Sequence, residues 1–220
     1  MTAAVAFDLD GVLLDSESTW SGARRSVALA NGGRWPPGVE PAMMGMSSPE
    51  WAAHLHDELG VQLEPDAIVA DVVRRVLAAF RRRLPLLPGA DGAVRRLSSR
   101  WPLGVASSSN RPVIEAALEA SGLRNDFAAT VSSEEVPRGK PAPDVYLAVA
   151  AALGVPPTSC VAVEDSANGI RAASSAGMAV VAVPNREFPP GPEALSLAAC
   201  RIGALDELTP ALIERVGAGA

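Results

Sequence analysis

The stretch Ala3-Ala4-Val5-Ala6-Phe7-Asp8-Leu9-Asp10-Gly11 decides how this 220-residue chain is read. Five consecutive apolar residues have the length and composition of a short strand with no polar face, as in a strand covered on both sides. It ends in two carboxylates at i and i+2, with a glycine beside them. That is a poor strand end for stability and a good one for holding a cation and supporting phosphoryl chemistry.

Further apolar runs of strand length recur at residues 103–106, 128–131, 160–163 and 179–183. Helical patterns lie between them at 91–99, 112–121, 143–153 and 168–176. Gly122, Gly154 and Gly177 stand where a left-handed helix stop is needed, and Pro112 and Pro143 suit a first helical turn. Near-continuous apolar strands alternating with helices predict an α/β chain, a Rossmann-like doubly wound parallel sheet.

One interval breaks this alternation. From Ser16 to about Leu84 only helical periodicity is found: Trp20, Ala23, Val27 and Ala30; then Trp51, Leu55 and Leu59; then a wide stripe from Ile68 to Phe80. Ser48 followed by Pro49 reads as the cap and first position of the middle helix. The expected organisation is a discontinuous core, residues 1–15 and 85–220, carrying an inserted all-α cap, residues 16–84. Insertion next to the Asp pair makes the cap a natural lid.

A formal charge of −6 disfavours nucleic acid as a partner. Arg81-Arg82-Arg83 is the one compact basic run and reads as a solvated helix end, as do His54 and His56 on their helix. Cys160 and Cys200 have no zinc-site spacing and read as two small buried residues; with no secretory segment before Asp8, a reducing, cytoplasmic location is expected. No apolar run approaches the ~20 residues that would span a membrane. No long heptad seam is present, and a monomer or weak dimer acting on a small molecule is expected.

In an open parallel sheet, ligands bind beyond the carboxyl ends of the strands. The second strand runs into Ser107-Ser108-Ser109-Asn110 and the fourth into Glu164-Asp165-Ser166; Lys140 follows the third. Each has an ordinary reading alone: a helix cap, acids serving a helix N-terminus, a surface charge. Together, Asp8, Asp10, Glu164 and Asp165 crowd up to four negative charges, which need a compensating cation. An oxygen-only ligand set suits Mg²⁺, and Lys140 balances the remainder.

Asp8-x-Asp10-Gly11-Val12, the Ser107 strand end, Lys140-Pro141 and Glu164-Asp165-Ser166-x-x-Gly169 occur in the order of the four motifs of the haloacid dehalogenase superfamily, which the chain resembles over almost its whole length. The helical insert resembles the α-helical cap of the phosphatase and β-phosphoglucomutase branch. The resemblance implies that Asp8 attacks phosphorus and forms an aspartyl-phosphate, and that Asp10 protonates the leaving alkoxide and then deprotonates water. It implies Mg²⁺ held by Asp8, the Asp10 carbonyl and Asp165, with Glu164 a direct or water-mediated ligand. Ser107, with Ser108 and Asn110, would meet the substrate's phosphoryl side, and Lys140 would neutralise charge on nucleophile and phosphoryl group.

In that superfamily an Asp at the position of Asp10 favours phosphate esters over halogenated acids or phosphonates. The segment from Met43 to Glu50 resembles the branch's substrate-reading loop, so Gly45, Ser47 and Ser48 are candidate substrate contacts. A mutase usually carries a basic residue where Ser48 stands and a histidine where Trp20 stands. Both departures favour a phosphatase for a sugar or polyol phosphate over the alternative, a β-phosphoglucomutase-type phosphomutase. Trp20 is expected either to stack on a sugar or to pack the cap. A third reading, a binding protein without turnover, has no use for the nucleophile–acid pair.

Overall fold

The computed structural model describes residues 1–43, 46–185 and 189–219. Strands β1 (Ala4–Phe7), β2 (Leu103–Ser107), β3 (Phe127–Ser132), β4 (Cys160–Glu164), β5 (Ala179–Ala182) and β6 (Cys200–Arg201) form one sheet in the order β3-β2-β1-β4-β5-β6. Every neighbouring pair is parallel. Five strands lie where hydrophobic runs predict them. The sixth is two residues long, too short to leave a periodic signature.

The helices are α1 (Glu17–Ala30), α2 (Glu40–Met43), α3 (Ser48–Asp57), α4 (Pro65–Arg82), α5 (Ala90–Ser98), α6 (Arg111–Ser121), α7 (Asp144–Ala152), α8 (Ala167–Ser175), α9 (Pro192–Leu195) and α10 (Pro210–Ala218). Alternation along the strands sorts the sheet's two faces. Val5, Phe7, Val105, Val161 and Val163 pack with α5, α6 and α10; Ala4, Ala6, Ala106 and Ala162 face α7 and α8. Small residues on the second face let the helices come close. At Gly104 a Cβ would press into the Val149 side chain of α7. The doubly wound parallel architecture is therefore as expected.

Between β1 and α5 the described residues contain helices and no named strand. Helices α1, α3 and α4 pack together, and their apolar stripes (Trp20, Val27, Trp51, Leu55, Ile68, Val72, Val76, Phe80) continue into the core on the α5/α6 face. The segments entering and leaving this insert run side by side: the Asp15 N–H donates to Pro85 O at 2.8 Å and the Leu87 N–H to Leu13 O at 2.9 Å.

Local readings shift at Ser48, at His54 and His56, and at Cys200. Ser47, in extended conformation, is the N-cap of α3, so Ser48 is the first helical residue rather than the cap; Glu50 accepts from the Ser47 N–H and from its hydroxyl, both at 2.7 Å. His54 and His56 are half-buried rather than solvated, and His56 Nδ1 lies 2.9 Å from Leu63 O. Cys160 is buried and its thiol is pushed up to about 11 by burial, whereas Cys200 is only half-buried, on the edge strand β6. Arg81, Arg82 and Arg83 are exposed as expected, and no described helix is long and apolar enough to cross a membrane.

Candidate active site

Strand order places the site. In this topology the winding reverses between β1 and β4, and the crevice outside their carboxyl ends is the natural ligand position. Asp8 follows β1, held by its N–H to Val163 O at 3.0 Å; Glu164 ends β4 and Asp165 follows it. Lys140, 132 residues from Asp8, comes in from the loop before α7, where the Lys140–Pro141 peptide is cis.

Lys140 Nζ donates to Asp8 Oδ1 at 2.8 Å and to Glu164 Oε1 at 2.6 Å. All three side chains are buried. Glu164 Oε1 also accepts from the Tyr146 hydroxyl at 2.8 Å. Its Oε2 accepts from the Asp165 N–H at 3.0 Å, with the Ser166 N–H and hydroxyl at 3.2 Å. Glu164 is thus fully engaged by the protein, and its geometry is that of a group that holds the lysine. Gly169 belongs to the same construction: a Cβ there would overlap the Glu164 carboxylate.

Asp165 is different. Its Oδ1 is buried with no hydrogen-bond partner among the described residues, and a Cβ at Gly11 (φ +83°) would overlap its carboxylate. One oxygen each from Asp8, Glu164 and Asp165 lie within 4.8 Å of one another. Burial, with repulsion from Glu164 and Asp10, outweighs Lys140 and raises Asp8 to about 7. Burial, together with Glu164 and Asp8, also pushes Asp165 well above the carboxylate range. Lys140 goes the other way. Burial favours the neutral amine, but Asp8 and Glu164 hold the ammonium above its ordinary range. One lysine does not satisfy this set; an orphaned buried carboxylate oxygen beside Asp8 has the chemistry of a divalent-cation ligand.

Asp10 stands at the mouth of this cluster and is held at both oxygens. Oδ1 accepts from the Ser16 hydroxyl and from the Trp20 indole N–H at 3.1 Å; Oδ2 accepts from the Ser109 hydroxyl at 2.6 Å. A cavity of about 290 Å³ opens here, walled by the sheet end and by the helical insert. That is at the small end of ligand pockets, suited to a metabolite. Asp8, Asp10, Lys140 and Asp165 line it, as do Ser108 and Ser109 from the loop after β2 and Trp20, Ser48 and Trp51 from the insert.

Other expected site residues are placed less simply. Ser107 is fully buried at the end of β2, and its hydroxyl accepts from the Ser109 N–H at 3.0 Å. Ser48 reaches the cavity wall, but its hydroxyl donates to Asn110 Oδ1 at 3.1 Å, and Asn110 Nδ2 donates to Glu134 Oε1 at 2.6 Å. These two join the insert to the core. Ser47 serves its own helix through Glu50. Gly45 lies outside the described residues. Trp20 does pack, 6.4 Å from the Trp51 ring centroid, and its N–H also reaches Asp10.

Ser16, Tyr146, Arg24 and Glu17 carry no expectation from the sequence, and Ser109 enters there only within the run from Ser107 to Asn110. Serines have no distinguishing signal in a serine-rich run. Tyr146 is the chain's single tyrosine, six residues after Lys140.

Fold and site together define an α/β enzyme whose chemistry is concentrated in a buried carboxylate cluster at the switch point. The chain belongs to the haloacid dehalogenase-like hydrolases, whose family profile matches residues 2–177. It is 34% identical to hexitol phosphatase B of Escherichia coli (strain K12), over 94% of each chain. It is 37% identical to fructose-1-phosphate phosphatase YqaB of the same strain, over 82% of this chain and 96% of that one. Among solved structures, CbbY from Rhodobacter sphaeroides superposes with a TM-score of 0.88 at 26% identity, covering 97% of this chain and all of the other. β-Phosphoglucomutase from Clostridium difficile shares the fold, with a TM-score of 0.86 at 23% identity over 100% and 98% of the two chains.

Proposed function

We propose that the chain is a Mg²⁺-dependent phosphatase that hydrolyses a small phosphomonoester, a sugar or polyol phosphate, through an aspartyl-phosphate. The observation that carries the reading is the double anchoring of Asp10 two residues from a lysine-held Asp8, which is how an acid/base and a nucleophile are kept apart in role. Relatives named as hexitol and fructose-1-phosphate phosphatases support the substrate class.

An Asp8 carboxylate oxygen attacks phosphorus, and the P–O ester bond breaks. Asp10 gives its proton to the leaving oxygen, producing the free alcohol. Water then attacks the phosphorus, Asp10 takes its proton, and the P–O bond to Asp8 breaks, releasing phosphate and restoring the carboxylate. Lys140 holds Asp8 in place and offsets charge on the phosphoryl group. The loop at Ser107 and Ser108 receives the phosphoryl oxygens. Asp8, Asp165 and the Asp10 carbonyl are the groups that would hold Mg²⁺, with Glu164 acting through Lys140; the ion would neutralise phosphoryl charge and orient the ester. Residues 16–84 act as the cap on a core of 1–15 and 85–220, the paired segments at Asp15 and Pro85 being its hinge.

Phosphate release from sugar, polyol and nucleotide monophosphates with Mg²⁺ tests the reading. Wild type should release phosphate and Asp8→Asn should not. Equal turnover by Asp8→Asn would refute the nucleophile. Faster conversion of β-glucose 1-phosphate to glucose 6-phosphate than phosphate release would make the chain a mutase instead.

A further inference from the structure

Arg24 of α1 is an anomaly. It is a cation that lines the cavity yet is only 6% exposed, and among the described residues its Nε and Nη1 have no hydrogen-bond partner. Its guanidinium carbon lies 5.5 Å from the ring centroids of both Trp20 and Trp51, so the aromatic pair fixes its direction. Its ion pair with Glu17 is loose, with Nη1 3.6 Å from Glu17 Oε1. Burying donors without acceptors is destabilising unless something else satisfies them. A guanidinium only donates, so what completes it is an acceptor oxygen.

We infer that Arg24 is a specificity residue that receives a hydroxyl or carbonyl oxygen of the substrate's carbon chain, on the side of the cavity away from the reacting phosphorus. The acceptor is a neutral one. Glu17 already balances the guanidinium, and Asp10 adds a second carboxylate field, so a second phosphate group there would face two negative charges. The rings of Trp20 and Trp51 supply the apolar surface on which a polyhydroxylated chain lies. This assignment rests on the phosphomonoester reading above and extends it to how the alcohol half is recognised.

The test compares Arg24→Met and Arg24→Lys with wild type on a hexitol phosphate, the matching hexitol bisphosphate and 4-nitrophenyl phosphate, which has no hydroxyl to read. Arg24→Met should lower kcat/KM for the hexitol phosphate about ten- to hundredfold, mainly through KM. Its loss on the nitrophenyl ester should be smaller by roughly fivefold or more, with Arg24→Lys in between, since lysine restores the charge without the planar fork. Equal losses on both esters would show a structural role and overturn the assignment. Preferential binding of the bisphosphate through Arg24 would overturn the neutral acceptor. If Arg24→Met fails to fold, calorimetric binding of the hexitol phosphate to Asp8→Asn, with and without Arg24→Lys, reads the same contact; unchanged affinity refutes it. Wild type releasing phosphate from none of the esters would overturn the hydrolase reading itself, an outcome distinct from any loss confined to Arg24.

Discussion

The Trp20 indole N–H donates to Asp10 Oδ1 at 3.1 Å, so a side chain of the first helix in the insert holds the residue proposed above as the acid/base. Trp20→Phe keeps an aromatic ring against Trp51 and removes the donor together with the second ring of the buried indole. A hydrogen bond to a charged group contributes about 1.5–3 kcal/mol. The expected result is a kcat lowered about tenfold, with a melting temperature lower by a few degrees from the lost ring. A KM change alone would mean that the bond does not orient Asp10 during the reaction.

Ser48, Asn110 and Glu134 make a second tie between insert and core. Asn110→Ala leaves the buried Ser48 hydroxyl without its acceptor, which should cost about 1–3 kcal/mol in urea denaturation. Pairing Asn110→Ala with Ser48→Ala should recover part of that loss, because the orphaned hydroxyl is removed as well.

Gly169→Ala and Gly92→Ala separate a glycine required by close approach from one that is not. A Cβ at Gly169 meets the Glu164 carboxylate, whereas at Gly92 of α5 the nearest atom is Arg96 Nη1 at 3.9 Å. Gly169→Ala should destabilise by about 1–3 kcal/mol and lower kcat by shifting the group that holds Lys140. Gly92→Ala should stabilise by about 0.5–1 kcal/mol through helix propensity.

Metal-free protein should show an inverted pH dependence. Asp8 and Asp165 both have their folded values raised above the unfolded carboxylate range. The folded state therefore binds more protons than the unfolded one between about pH 4 and 7, so stability contributed by these groups falls as pH rises through that window. With chelator, the melting temperature should be lower at pH 8 than at pH 6, and millimolar Mg²⁺ should restore it at pH 8. Asp165→Asn should flatten the chelated profile. A profile that rises from pH 6 to 8 in chelator would count against a carboxylate cluster waiting for a cation.

The chain alone determined the architecture and the chemistry-bearing strand ends. Hydrophobic period is a local property, and residues 3–7, 103–106, 128–131, 160–163 and 179–183 carry it plainly, so five of six strands and the helical insert were legible. The gathering of Asp8, Asp10, Lys140 and Asp165 at one cavity was legible too, since the three aspartates stand at the ends of apolar runs and Lys140 follows the third run. Tertiary structure alone decided which polar groups satisfy one another. The Ser48 hydroxyl at the cavity wall meets Asn110, and Glu164, grouped with Asp8 and Asp165, also holds Lys140. Trp20 became a donor to Asp10, and Arg24 emerged as a buried cation with open donors. Those pairings join residues far apart in the chain, and hydrogen-bond partners are set by a few tenths of an ångström in the packed fold, which no local pattern records.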